Sequence, residues 1–234
     1  MSLIKIENYH KGEPAYFNGY QNCPISNTMR KGEIWEKHMH DVFEKYINKD
    51  SIIIEGGCHI GTHTVKFGKL AKHVHAFEPL PVSNDKLRDN IKLNNLSNVT
   101  IHNEGLGDSH NKVYFDWTAG GNPGASGLSE NPLGKPSYEP SLTEKIEVQL
   151  VTIDSLNFDK VDFIKLDIEG YETLAIKGAI ETIKKFKPII TLESWSNHFG
   201  GIDHLFTRDK FSIILDIGYS MTHIQGPDYL FIPI

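Results

Sequence analysis

The residues from 51 to 64, SIIIEGGCHIGTHT, join an apolar run to a glycine loop. Glu55 is followed by Gly57 and, four positions further on, by Gly61. A dinucleotide fingerprint would have a glycine in place of Cys58, because that glycine lets the backbone approach a pyrophosphate. The loop therefore favours a ligand without a pyrophosphate but with a cationic amino-acid portion, such as S-adenosylmethionine. Glycine turns between strand and helix also serve packing alone, so the loop by itself leaves both readings open.

A second acid, Glu78, ends the segment HVHAFE, and Pro79 turns the chain directly after it. An acid at this place accepts hydrogen bonds from ribose hydroxyls. NAD and S-adenosylmethionine both need that contact. Glu78 therefore predicts an adenosine ligand without choosing between the two.

Acids and histidines near later strand ends are candidates for catalysis. Asp167 ends the segment FIKLD and is the first candidate for a base that removes a hydroxyl proton. Glu169 follows two residues later and either shares that role or caps the next helix. His198, in the loop WSNHFGG, is the other candidate base, because loops that follow strand ends commonly bind substrates. His38 in the leading segment is a candidate acceptor contact.

Two further residues are predicted to contact the acceptor. Trp35 is a candidate wall of the pocket, and Glu193 ends the strand that follows Asp167. The pair Asp167 and Glu193 is also the arrangement that a Mg²⁺-dependent O-methyltransferase would use. The Asp-Asn pair typical of the catechol-type enzymes is missing, which disfavours a metal but leaves it as an alternative.

Strand, loop and helix patterns alternate from residue 32 onward and predict an α/β fold with a doubly wound sheet. Helices are predicted over 32–48, about 82–95 and 171–186, and the last two strands form a hairpin around Gly-Pro-Asp. We predict an N-terminal extension over 1–31 and a single domain over 32–234. A long insertion at about 109–150, rich in Gly, Pro and Ser, is predicted to act as a lid.

Composition limits the classes of partner. The 234 residues carry a net charge of −6 without a basic face, which argues against a nucleic-acid partner. Two distant cysteines indicate neither a disulfide framework nor a zinc cluster. No apolar run has the length of a signal peptide or a membrane span, so we expect a cytoplasmic protein. The oligomeric state is left open.

Six segments occur in an order and spacing that resemble the FkbM-type methyltransferases across roughly residues 33 to 232. They are IIIEGGCHIGTHTVKF, VHAFEPLPV, VTIHNEGLGD, VTIDSL, VDFIKLDIEGYETLAIKGA and KPIITLE. The resemblance implies a class I, Rossmann-like methyltransferase fold with a seven-stranded sheet, which uses S-adenosylmethionine and methylates an oxygen acceptor. The family's loop usually reads Asp-x-Gly-Ala-Asn-x-Gly, whereas this chain has Glu55, Cys58 and His59 at three of those places.

The resemblance also suggests where the cofactor binds. Adenine would lie against the turn EGLGD, with Leu106 beneath the ring and Glu104 near the exocyclic nitrogen. The predicted cofactor-binding residues are Glu55, Gly57, Cys58, His59, Gly61, Thr62, Glu78, Pro79, Glu104 and Leu106.

The combined patterns predict an S-adenosylmethionine-dependent O-methyltransferase that acts on a hydroxyl of a sugar, a glycan or a small natural product. Two alternatives stay open. One is an NAD-dependent oxidoreductase, which the residue at Cys58 disfavours. The other is a catalytically silent methyltransferase fold that only binds a partner.

Overall fold

The structure is a computed structural model that describes residues 3–21, 23–118, 127–128, 143–195 and 202–234. The first half of the chain contains β1 (Ile4–His10), β2 (Glu13–Phe17), α1 (Pro24–Arg30), α2 (Lys37–Tyr46), β3 (Ile52–Gly56), α3 (Thr62–Leu70), β4 (His73–Phe77), α4 (Pro81–Leu93), β5 (Val99–His102) and β6 (Gly105–Leu106). The second half contains β7 (Lys112–Thr118), β8 (Gly127–Leu128), β9 (Thr143–Val151), β10 (Phe163–Leu166), α5 (Glu172–Lys177), α6 (Ile180–Phe186), β11 (Ile189–Glu193), α7 (His204–Lys210), α8 (Ser212–Leu215), β12 (Tyr219–Gln225) and β13 (Asp228–Pro233).

The main sheet has seven strands in the order β12-β13-β11-β10-β3-β4-β5. The neighbours from β11 to β5 are parallel, and β13 is antiparallel to both β11 and β12. This confirms the predicted α/β class I methyltransferase fold, with its seven-stranded sheet and closing hairpin. β3 and β10 are buried along almost their whole length, as expected for central parallel strands covered on both faces.

The two faces of the sheet are buried in two hydrophobic cores. Side chains alternate along each strand, so Ile53 and Phe163 enter one core while Ile54 and Ile164 enter the other. The first core contains residues of α2, α3 and the β1–β2 hairpin, and the second contains residues of α5, α6, α8 and the closing hairpin. The hairpin from the predicted N-terminal extension therefore packs on the same face as the helix that follows the glycine loop.

Two predicted helices differ from the observed ones. The helix predicted from residue 32 begins only at Lys37, because Glu36 has a left-handed backbone with φ of 46°. The helix predicted as continuous over 171–186 is divided into α5 and α6 around Gly178. A Cβ atom at Gly178 would lie 2.0 Å from the carbonyl oxygen of Gly107, so the break brings two backbones into close contact.

Part of the segment predicted to act as a lid forms β-strands. β7, β8 and β9 join β6 in a four-stranded sheet in the order β6-β9-β7-β8. The remaining residues of the 109–150 insertion, 119–126 and 129–142, lie outside the described residues, and the lid stays a prediction, as does the domain boundary at residue 32. No helix in the described part of the chain has the length and apolar character needed to cross a membrane.

Candidate functional site

Four functional candidates emerge together at the carboxyl edge of the main sheet. Leu192, Leu166, Gly56 and Phe77 are in register across β11, β10, β3 and β4. The next residue on each strand or after its end is Glu193, Asp167, Gly57 or Glu78. Parallel strands align their carboxyl ends, and ligands bind at this edge in open α/β sheets. The fold therefore collects these residues at one edge, as the sequence predicted.

The glycine loop turns tightly under Asp167. Gly57 has φ of 78°, and a Cβ there would lie 1.7 Å from the carbonyl oxygen of Asp167. Only glycine fits such a contact. The amides of Gly57 and Cys58 donate to the carbonyl of Phe77 at 3.1 and 3.3 Å, and Gly61 has φ of 85° at the start of α3. The loop is thereby attached to the end of β4.

Glu78 holds this loop through its carboxylate. Oε2 accepts the amide of His59 at 2.7 Å, and Oε1 accepts the amide of Leu80 at 2.9 Å. The residue is 6% exposed, and burial raises the pKa of Glu78 to about 7, although the two amide hydrogen bonds oppose the shift. A carboxylate has about four lone-pair sites. Two acceptor positions therefore remain for the hydroxyls of a ligand.

The N-terminal segment supports the same loop. The Tyr9 hydroxyl donates to the carbonyl oxygen of Thr62, at the first turn of α3. The Tyr20 ring stacks on the ring of His59, with 5.5 Å between centroids, and its hydroxyl lies 3.1 Å from that of Ser83. Burial lowers the pKa of His59 to about 4, so its imidazole is neutral near neutral pH. Sequence reasoning did not assign any of these roles to residues 1–31.

The buried ion pair of Asp167 and Lys165 lies in the middle of the edge. The Lys165 Nζ donates to Oδ2 of Asp167 at 3.1 Å, and the lysine is 4% exposed while 26% of the Asp167 side chain is exposed. Burial disfavours the ammonium, but the carboxylates of Asp167, Glu36 and Glu55 outweigh it and raise the pKa of Lys165. The side chain of Asp167 thus reaches the sheet edge, while its Oδ2 atom is held by the ammonium group of Lys165.

Two histidine–carboxylate pairs lie around this ion pair. His38 Nε2 is 2.7 Å from Oδ2 of Asp228, and His63 Nε2 is 2.7 Å from Oε2 of Glu36. Burial raises the pKa of Glu36, but the hydrogen bond and charge of His63 prevail and lower it to about 2. Sequence reasoning named His38, and the structure places it opposite an acid from β13 that the sequence did not single out.

Glu193 joins the group from β11. It is paired in register with Asp228, and its Oε2 accepts the indole N–H of Trp195 at 3.2 Å. Burial raises the pKa of Glu193, and the negative charges of Asp167 and Glu36 raise it further.

Glu169 is not the helix cap that was one of its two predicted roles. It stands in the loop before α5 with φ of 53°. Tyr171 occupies the N-cap position of α5, and Glu172 fixes the loop before it, because its Oε1 accepts the amides of Ile168 and Gly170, each at 3.1 Å. Burial raises the pKa of Glu169 to about 8, and Asp167 and Glu172 add to the shift. Its catalytic role stays a prediction.

The remaining predicted residues are distributed around this edge. Leu106 is 3% exposed, and its Cδ1 lies 3.0 Å from the place of a Cβ at Gly56. Glu104, Pro79 and Trp35 are half-buried, while Cys58 is buried and its thiol donates to the carbonyl of Glu55 at 3.3 Å. His198 lies outside the described residues.

The described residues contain no group of three or more His, Cys, Asp or Glu side chains that could hold a metal ion. The alternative of Mg²⁺ at Asp167 and Glu193 therefore gains no support from the geometry.

Lys165, Glu36, Asp228 and His63 were missed from the sequence. Lys165 gave a signal, since it is a charged residue within the otherwise apolar segment FIKL. Its partners gave none, because Glu36 and Asp228 lie 192 positions apart and only the folded sheet brings them together.

The fold and the edge define a class I methyltransferase domain. The sequence matches the Methyltransferase FkbM domain over residues 55–221, and the chain belongs to this family. A crystal structure of Methyltransferase FkbM from Methylobacillus flagellatus KT is similar, with a TM-score of 0.53 and 18% identity over 89% of this chain and 52% of that one. At this identity the likeness concerns the fold.

A curated relative is the hexuronic acid methyltransferase AglP of Haloferax volcanii. It is 27% identical over 142 residues, which are 61% of this chain and 55% of AglP. The chain thus spans about half the length of this relative.

Proposed function

We propose that this chain is an S-adenosylmethionine-dependent O-methyltransferase that acts on a hydroxyl of a sugar or glycan. The observation that carries the proposal is the partly exposed Asp167 carboxylate, held by Lys165 at the same sheet edge as the glycine loop and Glu78. Membership of the FkbM family supports methyl transfer. The name of the Haloferax relative, a hexuronic acid methyltransferase, supports a sugar as the methyl acceptor.

The residues present fit this cofactor. Glu78 has acceptor positions left for ribose hydroxyls after its two amide hydrogen bonds. Glu55 is buried at the end of β3, and its Oε2 has no hydrogen-bond partner. A buried carboxylate oxygen without a partner is costly, and an ammonium group would satisfy it. Glu78 would hold the ribose, and Glu55 would serve the amino-acid portion.

When bound, S-adenosylmethionine supplies an electrophilic methyl group. The chain itself must orient the acceptor and receive the proton that its hydroxyl loses. Asp167 is suited to receive that proton, because its carboxylate reaches the edge while Lys165 fixes its Oδ2 oxygen. The NAD-dependent alternative lacks support in the loop, since Cys58 is buried against the carbonyl of Glu55.

Replacement of Asp167 by Asn tests the proposal. The purified chain is assayed for transfer of a labelled methyl group from S-adenosylmethionine to neutral, amino and acidic sugars. We expect Asp167→Asn to lower kcat by at least about 100-fold while S-adenosylhomocysteine binds with a Kd within about threefold of the unsubstituted chain.

Asp159→Asn is the matched control, because Asp159 is exposed and precedes β10 at the opposite end of the strand. It should leave both quantities unchanged. Equal activity of Asp167→Asn would remove Asp167 from the mechanism, and the absence of both cofactor binding and methyl transfer would refute the proposed function.

A further inference from the structure

Four carboxyl groups surround Lys165 at the sheet edge, and we call Glu36, Asp167, Glu193 and Asp228 the carboxylate ring. Asp167 contacts the ammonium directly at 3.1 Å, and Glu36 and Glu193 lie close enough to shift its pKa upward. Asp228 faces Glu193 across the β11–β13 pair. The ring thus joins four separate parts of the chain around one lysine.

The ring contains four carboxyl groups and one lysine. Its members make Glu193 easier to protonate, because burial raises the pKa of Glu193 and the charges of Asp167 and Glu36 raise it further. Asp228 behaves in the same direction: burial raises its pKa, the hydrogen bond from His38 opposes the shift, and Glu36 adds to it. A site that raises the pKa values of its own carboxyl groups disfavours negative charge. The same environment therefore disfavours an anionic ligand.

The chain offers no arginine to the ring among the described contacts. It has three arginines, and bidentate recognition of carboxylate or phosphate groups generally uses that side chain. Arg30 donates to the carbonyl oxygens of Gln21 and Tyr20, and Arg88 donates to Asn103. Arg208 is exposed on α7. Among the described residues, Lys165, whose Nζ already contacts Asp167, is therefore the one lysine or arginine paired with a member of the ring.

An unpartnered polar atom beneath the ring indicates that a polar ligand completes it. Thr191 is in register with Lys165 and lies two residues before Glu193, so its side chain shares their face of the sheet. It is 1% exposed, and its Oγ1 has no hydrogen-bond partner. Buried polar groups are normally satisfied, so this atom marks a place for a polar group of the acceptor.

We infer that the acceptor is a sugar without negative charge, either uncharged or bearing an ammonium group, and not a uronate or a sugar phosphate. The inference rests on the proposed function and narrows its acceptor. Carboxylates bind sugar hydroxyls as hydrogen-bond acceptors and attract an ammonium, whereas like charges brought together cost several kcal/mol. The chain would thus differ in acceptor charge from a relative that is named for a hexuronic acid.

Matched acceptors test this inference directly. Glucose, glucosamine and glucuronate form one series, and the corresponding galactose and mannose compounds form two more. Methyl transfer from S-adenosylmethionine is measured as kcat/KM for each compound. Within every series that reacts, we expect the uronate to be at least about tenfold poorer than the better of its two partners.

The variant Glu36→Gln removes one charge of the ring without changing its shape, because the pKa of Glu36 is lowered to about 2 and its side chain is ionised. We expect it to raise the ratio of uronate to neutral-sugar kcat/KM by at least about threefold, and this ratio cancels a general loss of activity. Glu33→Gln, at an exposed position before α2, should leave the ratio unchanged.

The outcomes separate the two proposals. A uronate that is preferred within its series would overturn the inference and leave the methyltransferase proposal standing. If no compound in the three series is methylated although S-adenosylhomocysteine binds, the sugar acceptor itself is wrong and the inference fails with it.

Discussion

Replacement of Glu78 by Gln should remove a pH-dependent loss of stability from the unliganded chain while it weakens cofactor binding. The pKa of Glu78 rises from 4.5 to about 7 on folding, chiefly because the carboxylate is buried. Between these values the folded chain holds a proton that the unfolded chain has lost, so folding stability falls as pH rises through this window. Each pKa unit is worth about 1.4 kcal/mol, so above pH 7 the ionised carboxylate costs about 3 kcal/mol of stability.

Glutamine has nearly the same shape and never ionises. The stability of Glu78→Gln relative to the unsubstituted chain should therefore rise by about 2.5 kcal/mol between pH 5 and pH 8. The amide has one oxygen for the two backbone N–H groups that Glu78 binds, and the lost hydrogen bond adds a cost that does not depend on pH. Urea unfolding at both pH values, without ligand, measures the two differences. The exposed Glu33→Gln variant serves as the control for the loss of a surface acid.

The same substitution should raise the Kd for S-adenosylhomocysteine by at least about tenfold, because an anionic acceptor for the ribose hydroxyls becomes a neutral amide. The reasoning about burial would be refuted if the stability difference between Glu78→Gln and the unsubstituted chain were the same at pH 5 and pH 8, or if it moved against the variant as pH rose.

Further predictions concern the loop and the buried ion pair. Gly57→Ala should destabilise the chain by more than about 3 kcal/mol in urea unfolding, because its Cβ would lie 1.7 Å from the Asp167 carbonyl oxygen. Gly12→Ala, at φ of 85° but with nothing within 4 Å of the new atom, should cost only about 1–2 kcal/mol, and equal losses would contradict the steric argument. Lys165→Met should destabilise by about 3–5 kcal/mol near pH 7, since it leaves buried carboxylates without their cation. Unfolding of this variant near pH 5 should show a smaller loss as the carboxylates take up protons, and a loss independent of pH would count against the ion pair.

The central part of the fold was predictable because local patterns determine it. The apolar run before Glu55, the glycines after it and the acid at Glu78 indicate strand, turn and strand end without reference to distant residues. The register of Leu166, Gly56 and Phe77 then places Asp167, Gly57 and Glu78 at one edge. Parallel packing of consecutive strand–helix units thus made that part of the candidate site predictable.

Other features depend on contacts that a local pattern does not contain. The division between α5 and α6 preserves the apolar spacing, because Ala175, Ile176, Ala179 and Ile183 all enter one core. The break coincides with the close approach of Gly178 to the carbonyl of Gly107, which comes from a different part of the chain. Likewise, the carboxylate ring needs residues from the leading loop and the closing hairpin, whose pairing is fixed only by the sheet.

The most direct test of the proposed cofactor site is calorimetric titration of the purified chain with S-adenosylhomocysteine and, separately, with NAD. We predict micromolar binding of S-adenosylhomocysteine that is lost in Glu78→Ala, and no binding of NAD. If NAD binds and S-adenosylhomocysteine does not, our interpretation of the glycine loop is contradicted. If neither ligand binds, an adenosine site at Glu78 is contradicted.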